Sequence, residues 1–352
     1  MAVARYCAKD EPAIADGGRG GTDGVTGRRP ALGGWRRPYG RGGINGVRRR
    51  RKHGANSLES ASRWTAGRFA VPLAESVANA AAGQVAIDAK AQGPNLTIVQ
   101  REAGGLTAVN RAAALITTGR CDRVLVGNVD EMPPVLHALL DRFDALARPT
   151  ETHEEAARPF ARHRDGFIAA EGATMLVIER ADLAEARGVR VRAGILGGGG
   201  AFDPSAPRIG WGRGHSTLAA ALRRTLDRSG VAPGEIAHVV SGASGAVAGD
   251  WIEAKLLTDV WPDDLPPVLT PKATLGQYGG GFLAACILTA AGGTFGATLD
   301  LEDVDPELHV LPFSGTLPGR GLSLATSCAS GGAAAWFLLE GVGADRRSHP
   351  GA

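Results

Sequence analysis

Apolar and polar positions follow two different periods along this chain, and the switches between them mark its elements. Residues 75–92 (ESVANAAAGQVAIDAKAQ) place Val77, Ala80, Ala81 and Val85 at helical spacing. Gly93-Pro94 ends that run. Residues 95–100 (NLTIVQ) have strand composition, and 104–120 are again helical. Residues 122–130 (DRVLVGNVD) read as a buried strand, and 133–146 as a helix that starts at its prolines. Strands are predicted at 173–180 and 189–197, around a short helix at 181–187. The second half repeats the alternation. A helix over 216–230 is closed by glycine, and a strand follows at 235–242. Next come a helix at 250–260, a short strand at 266–270, an apolar helix at 280–293, and two strands at 319–327 and 333–340. Strand–helix alternation in both halves predicts an α/β fold whose sheets are covered by helices.

Composition changes this picture only at the start of the chain. Of 352 residues, 44% are hydrophobic, enough for a substantial core. Residues 1–60 carry 13 lysines and arginines against 5 acidic residues, which leaves the rest net acidic although the whole chain is +3. The same stretch has 13 glycines and only seven Leu, Ile, Val or Phe, too little apolar surface to offset its ordering entropy. Residues 1–66 therefore read as a basic Gly/Arg-rich segment outside the folded domain. They fit a disordered tail, a stretch that is not a native reading frame, or, least well, an arm for nucleic acid or an acidic surface built on Arg48–Lys52.

The four cysteines (Cys7, Cys121, Cys286, Cys328) form no C-x-x-C pair, which argues against a disulfide framework or a structural zinc site and fits a reducing compartment. No apolar run reaches membrane-spanning length. A cytoplasmic protein without metal or redox cofactor is expected.

One candidate for chemistry stands out by itself. Cys328 lies in TSCASGG (326–332), among small residues and glycines, as a reactive thiol on a tight turn would. With no histidine placed beside it by the sequence, such a thiol is mostly protonated at neutral pH.

Four further stretches, in order, resemble the β-ketoacyl-acyl-carrier-protein synthase family. GPNLTI (93–98) is similar to the strand entering that family's nucleophile turn. RPFARHRDGFIAAEGATMLVIE (158–179) resembles its RPFD…RDGFV…GEGAGVLVLE segment and is the most specific match. GASGAVAGDWIEA (242–254) resembles its first histidine loop, and KATLGQYGGG (272–281) its second. The likeness runs from about residue 70 to 340. It implies a thiolase-like layered α/β/α/β/α fold over 67–352, with an N-terminal half to about 185 and a C-terminal half over about 186–342. The first half is expected to be incomplete, because nothing in 1–66 matches the family's opening strand and glycine turn.

The resemblance also implies a chemistry. Family members condense acyl chains by decarboxylation, with a cysteine thiolate that accepts the acyl group from carrier protein and two histidines that assist. In this register the cysteine falls on Glu102, the first histidine on Gly242 and the second on Gln277. A carboxylate is a weak nucleophile toward a thioester, glycine has no side chain, and an amide is neither acid nor base at neutral pH. Glu102 does suit the N-terminus of the helix predicted at 104–120, where negative charge is favoured. Lys272, Glu171, Asp250 and Glu253 remain as supporting residues, and Lys272 is expected to tie loops through carbonyls or Glu171. The loop with Cys328, Ser330, Gly331 and Gly332 corresponds to a pocket-lining loop. His163 is expected at the surface, His215 at a helix start and His238 within a strand.

The pattern is closest in character to a chain-length factor. The chain would be a non-catalytic subunit that pairs with an active ketosynthase through the strand at 95–100. It would meet acyl carrier protein, with docking on Arg158, Arg162 and Arg164 as one option, and would line a shared tunnel for the acyl chain. The alternatives are an active acyltransferase using Cys328 or Glu102, and a decayed relic.

Overall fold

The computed structural model describes residues 2–6 (backbone), 77–151, 153–292, 303–313 and 321–341. The chain divides into two units, Met1–Lys9 with Ala81–Ala352, and Asp10–Ala80; the first carries nearly all described residues. The run Arg48–Lys52 lies outside them.

In chain order the elements are β1 (Ala2–Tyr6), α1 (Ala80–Asp88), α2 (Gly104–Thr117), β2 (Arg123–Asp130), α3 (Pro134–Arg142), β3 (Gly172–Arg180), α4 (Ala181–Ala186) and β4 (Ala193–Phe202). There follow α5 (His215–Ser229), β5 (Ile236–Ser241), α6 (Val247–Val260), β6 (Val268–Leu269), α7 (Lys272–Leu275), α8 (Gly279–Ala290), β7 (Leu322–Cys328) and β8 (Ala333–Gly341). These strands form one sheet in the order β2-β3-β1-β4-β8-β7-β5-β6. β1 is parallel to β3 and β4, and β5 is parallel to β6 and β7. The pairs β2–β3, β4–β8 and β7–β8 are antiparallel.

The sheet is bent around a central helix layer. α8 touches β2 and β3 at one end of the order and β5, β7 and β8 toward the other. In a flat sheet β2 and β5 would stand about 29 Å apart at ~4.8 Å per strand. A helix only about 10 Å wide reaches both because the two halves of the sheet fold over it. α2 and α8 therefore share an inner core with Val126, Leu176, Ile178, Ile195, Val240 and Phe337. α5 and α6 cover the outer face of the second half, and α4 packs outside β1 and β3. The result is the α/β/α/β/α layering expected from the sequence. Strand periodicity sorts side chains between the cores: β8 sends Trp336 and Leu338 outward, and Phe337 and Leu339 inward.

The glycine run of β4 brings α2 close to the sheet. A Cβ on Gly198 would lie 2.0 Å from Asn110 Oδ1. With glycine there, the Asn110 amide donates to the carbonyls of Gly199 (2.8 Å) and Trp336 (3.0 Å).

Several expectations are corrected. A strand, β1, occupies residues 2–6, inside the segment expected to be unstructured and without an opening strand. It fills the slot between β3 and β4, where edge amides and carbonyls on both sides call for a partner. Residues 95–100 are not a strand; they have no regular secondary structure and no ladder among the described residues, and Val99 is 77% exposed. β2 is an edge strand rather than a buried one, with Leu125 and Val129 more than two-fifths exposed. α1 is shorter than 75–92 and buries none of its residues.

His238 sits as the sequence suggested, within β5. Its Nε2 lies 2.7 Å from Ser323 Oγ, and its Nδ1 is buried without a partner. Burial holds the imidazole neutral and pushes its pKa down to about 4. Its ordinary value is near 6.5, so the unfolded chain takes up the proton first as pH falls, and stability contributed above pH 6.5 is lost toward pH 4. The difference in unfolding free energy between the parent and a His238→Gln variant is expected to change by up to about 3 kcal/mol over that interval, at ~1.4 kcal/mol per pKa unit. Urea unfolding of both proteins at pH 7, 5.5 and 4 measures it, and a pH-independent difference contradicts it.

Candidate functional site

The site is built where three turns meet at the central helices. Arg101–Ala103 form a single 3-10 turn that runs straight into α2. Arg101 adopts φ +47°, an uncommon conformation for a residue with a Cβ. This turn faces the one between β7 and β8, where Gly331 and Gly332 take φ +91° and +97°. The Glu102 carboxylate accepts the Ser330 N–H at 3.2 Å, and the Glu102 carbonyl accepts the Ser327 hydroxyl at 2.9 Å. The Arg101 guanidinium donates to Ser330 Oγ. The Gly331 N–H adds a bond to the Gly210 carbonyl at 2.7 Å, tying in the loop before α5.

Beneath these turns lies Glu253 of α6, whose carboxylate is fully buried. Its Oε1 accepts the Ser241 and Thr326 hydroxyls and the Gly242 N–H at 2.7–2.8 Å, and its Oε2 faces the Cys328 N–H at 3.3 Å. Burial pushes its pKa up, and these donors and Lys272 pull against that rise. Asp250, one turn earlier, accepts the N–H groups of Phe160, Ser244 and Gly245 at 2.9–3.2 Å. It thereby fastens the RPF loop to the start of α6, with Phe160 held at φ +63°. Burial pushes the Asp250 carboxyl up to about 6.

Lys272, the first residue of α7, is 1% exposed, with its ammonium 4.9 Å from the centre of the Phe282 ring. Burial lowers its pKa, and the negative charges of Glu102, Glu253 and Asp250 oppose that fall. No carboxylate approaches within ion-pair distance of it among the described residues. Lys272 thus sits as a buried amine among three carboxylates contributed by two elements, the turn at 101–103 and α6.

The structure brings Glu102, Gly242, Lys272, Glu253, Ser330 and Cys328 together. Gly242 is not simply an unfilled position: a Cβ there would lie 2.7–2.9 Å from Oγ, Cα and Cβ of Ser327. Ser327 occupies the space a side chain at 242 would take. Gln277 follows Gly276, which has φ +76°; its N–H donates to the Ile168 carbonyl at 2.7 Å, and its Oε1 is buried without a partner.

Other expected roles change. Glu171 does not support Lys272; it is exposed and accepts the Met132 N–H at 3.0 Å, in an open cleft of about 600 Å³ with Asp130 and Glu131. Arg158, Arg162 and Arg164 are not a free basic surface. Arg158 is buried and donates to the Glu154 and Ala156 carbonyls, Arg162 reaches Asp303, and Arg164 forms a half-buried pair with Asp305 at 2.7 Å. Long side chains at the foot of a tight loop serve its folding before they serve a partner.

His163 pairs with Asp303 at the surface, and His215 opens α5 with Nδ1 2.7 Å from Asp259. Cys328 is buried in the outer core, and burial together with nearby Glu253 pushes its thiol pKa well above the ordinary value. Two residues that hold the site carried no sequence signal. Arg101 matters through a backbone angle, and Ser327 through the volume it fills.

These contacts can now be set beside known proteins. Residues 42–184 match the model of the β-ketoacyl synthase N-terminal domain, a match that begins within the basic segment. The chain is 32% identical over 247 residues to 3-oxoacyl-[acyl-carrier-protein] synthase 2 of Mycobacterium bovis, covering 66% of this chain and 57% of the relative. It is 34% identical over 217 residues to a putative polyketide beta-ketoacyl synthase 2 of Streptomyces cyaneus, covering 61% and 50%. The chain thus spans little more than half the length of these curated relatives. Among solved structures, the ishigamide ketosynthase/chain length factor superposes with a TM-score of 0.68 at 28% identity, over 76% of this chain and 66% of the other. The order of the motifs, the layered fold bent around α2 and α8, and these likenesses agree: over residues 42–184 the chain matches the β-ketoacyl synthase family, and its described fold is that of the family's solved structures.

Proposed function

We propose that this chain is a non-catalytic subunit that pairs with an active β-ketoacyl synthase in fatty acid or polyketide chain elongation and shapes the tunnel for the growing acyl chain. The observation that carries this reading is the filled centre of the site. Transfer of an acyl group between thioesters needs a nucleophile that is activated and a group that moves protons. Position 102 offers a carboxylate already engaged with Ser330, and its acyl product would be a labile anhydride. Position 242 has no side chain and no room for one, and position 277 offers an amide. The surrounding frame of Glu253, Asp250 and Lys272 persists, as a scaffold kept for pairing would require. The likeness to a ketosynthase/chain length factor supports a synthase as the partner. Leu96 and Val99, exposed on a segment without a ladder among the described residues, suit coverage by such a subunit. Acyl carrier protein is the proposed second partner. Cys328 does not offer a second active site, since its thiol is buried and held protonated.

Co-expression with an intact synthase of the same family, followed by gel filtration and product profiling, tests the pairing. A heterodimer and an altered product length are expected; separate elution with an unchanged product rejects the reading. Restoring a histidine by Gly242→His is expected not to restore condensation and to cost roughly 1–3 kcal/mol or more in stability from overpacking against Ser327. Chemical denaturation and a malonyl-dependent condensation assay report both, and a stable, active variant contradicts the filled site. In native protein, Cys121 is expected to react with iodoacetamide ahead of Cys286 and Cys328, as mass spectrometry of labelled peptides would show.

A further inference from the structure

We propose that the turns at 101–103 and 330–332, with Lys272 below them, form a carboxylate-recognition pocket that the chain fills with its own Glu102. The inference rests on the reading of position 102 as an occupied nucleophile site.

Three observations on different elements converge on this carboxylate. The Ser330 N–H points at Glu102 Oε2, in a turn that two consecutive left-handed glycines fix in shape. The Arg101 guanidinium holds the Ser330 hydroxyl, so the same turn is gripped from both sides. Lys272 is a buried cation on α7 with no close ion-pair partner among the described residues. The other two carboxylates near it are saturated from elsewhere. Glu253 already faces four donors and Asp250 three backbone N–H groups. Among the described residues, the Glu102 side chain accepts one hydrogen bond, from the Ser330 N–H. It also lies in the first turn before α2, where the helix adds positive potential. A buried ammonium without negative charge nearby is costly, and Glu102, although beyond ion-pair distance, opposes that cost more than Glu253 or Asp250 does. Glu102 is therefore the internal ligand of a site whose fixed parts are an N–H donor, a helix terminus and a buried ammonium. Those parts recognise a small free carboxylate equally well once the internal one is removed.

Chemical rescue tests this on the isolated chain, without any partner subunit, so its outcome is separate from that of the pairing experiment. Glu102→Gly is expected to lower Tm, and sodium acetate is expected to raise it again in a saturable way. At tenfold excess over its Kd, acetate should raise the folding equilibrium constant about elevenfold. Sodium chloride at equal ionic strength, the parent chain, Glu102→Gln and the double variant Glu102→Gly/Lys272→Met should show no such rise. An equal acetate effect on the parent, or one that survives Lys272→Met, overturns the proposal, as does a folded Glu102→Gly variant that acetate leaves unchanged. Should Glu102→Gly fail to fold, hydrogen exchange at the Ser330 amide decides. At least tenfold faster exchange in Glu102→Gln than in the parent supports the pocket, and equal exchange overturns it.

Discussion

Everything near the site hangs on the buried carboxylate of Glu253. It is held inside the protein by a hydroxyl from the end of β5, a backbone N–H just beyond it, and a hydroxyl and an N–H from β7. A carboxylate without water needs such donors, because an unsatisfied buried charge costs several kcal/mol. The requirement works in both directions. The donors hold the charge, and the charge fixes the ends of two neighbouring parallel strands against one helix. Once those ends are fixed, the turn that follows β7 has one place to go, which is onto the turn that opens α2.

On the proposed reading, the site is a framework of buried charges whose centre is filled by the chain's own residues. Ser327 takes the volume beside Gly242, Glu102 takes the donor of Ser330, and Asp250 clamps the loop of Phe160. None of these contacts involves a group able to exchange an acyl chain at neutral pH. On the proposed reading, the absence of condensation chemistry is a matter of packing as well as of residue identity.

Much of the second half was legible in the sequence. The helix closed by Gly230, the strand holding His238 and the alternating β8 follow periodicity directly, because each buries one regular face. The motifs also grouped Glu102, Gly242 and Lys272, and the elements that carry them meet around Glu253. What failed depended on neighbours. Residues 95–100 have strand composition, yet a strand needs a partner and this one has none within the described residues. The apolar run of β2 looked buried, but its place at the edge is set by the order of the sheet and not by its own residues. Arg158 and Arg164 looked like surface charges because a sequence does not display the carbonyls and carboxylate that take them inward.

The position of β1 has a consequence for how the molecule assembles. Its partners, β3 and β4, lie some 170 to 190 residues further along the chain. Closing a loop of that length costs only slowly growing entropy, but contacts of such separation form late and slow the search for the native state. During synthesis β1 must wait, unpaired, until its slot between these two later strands exists. It can enter the sheet only after both of those neighbours have been made.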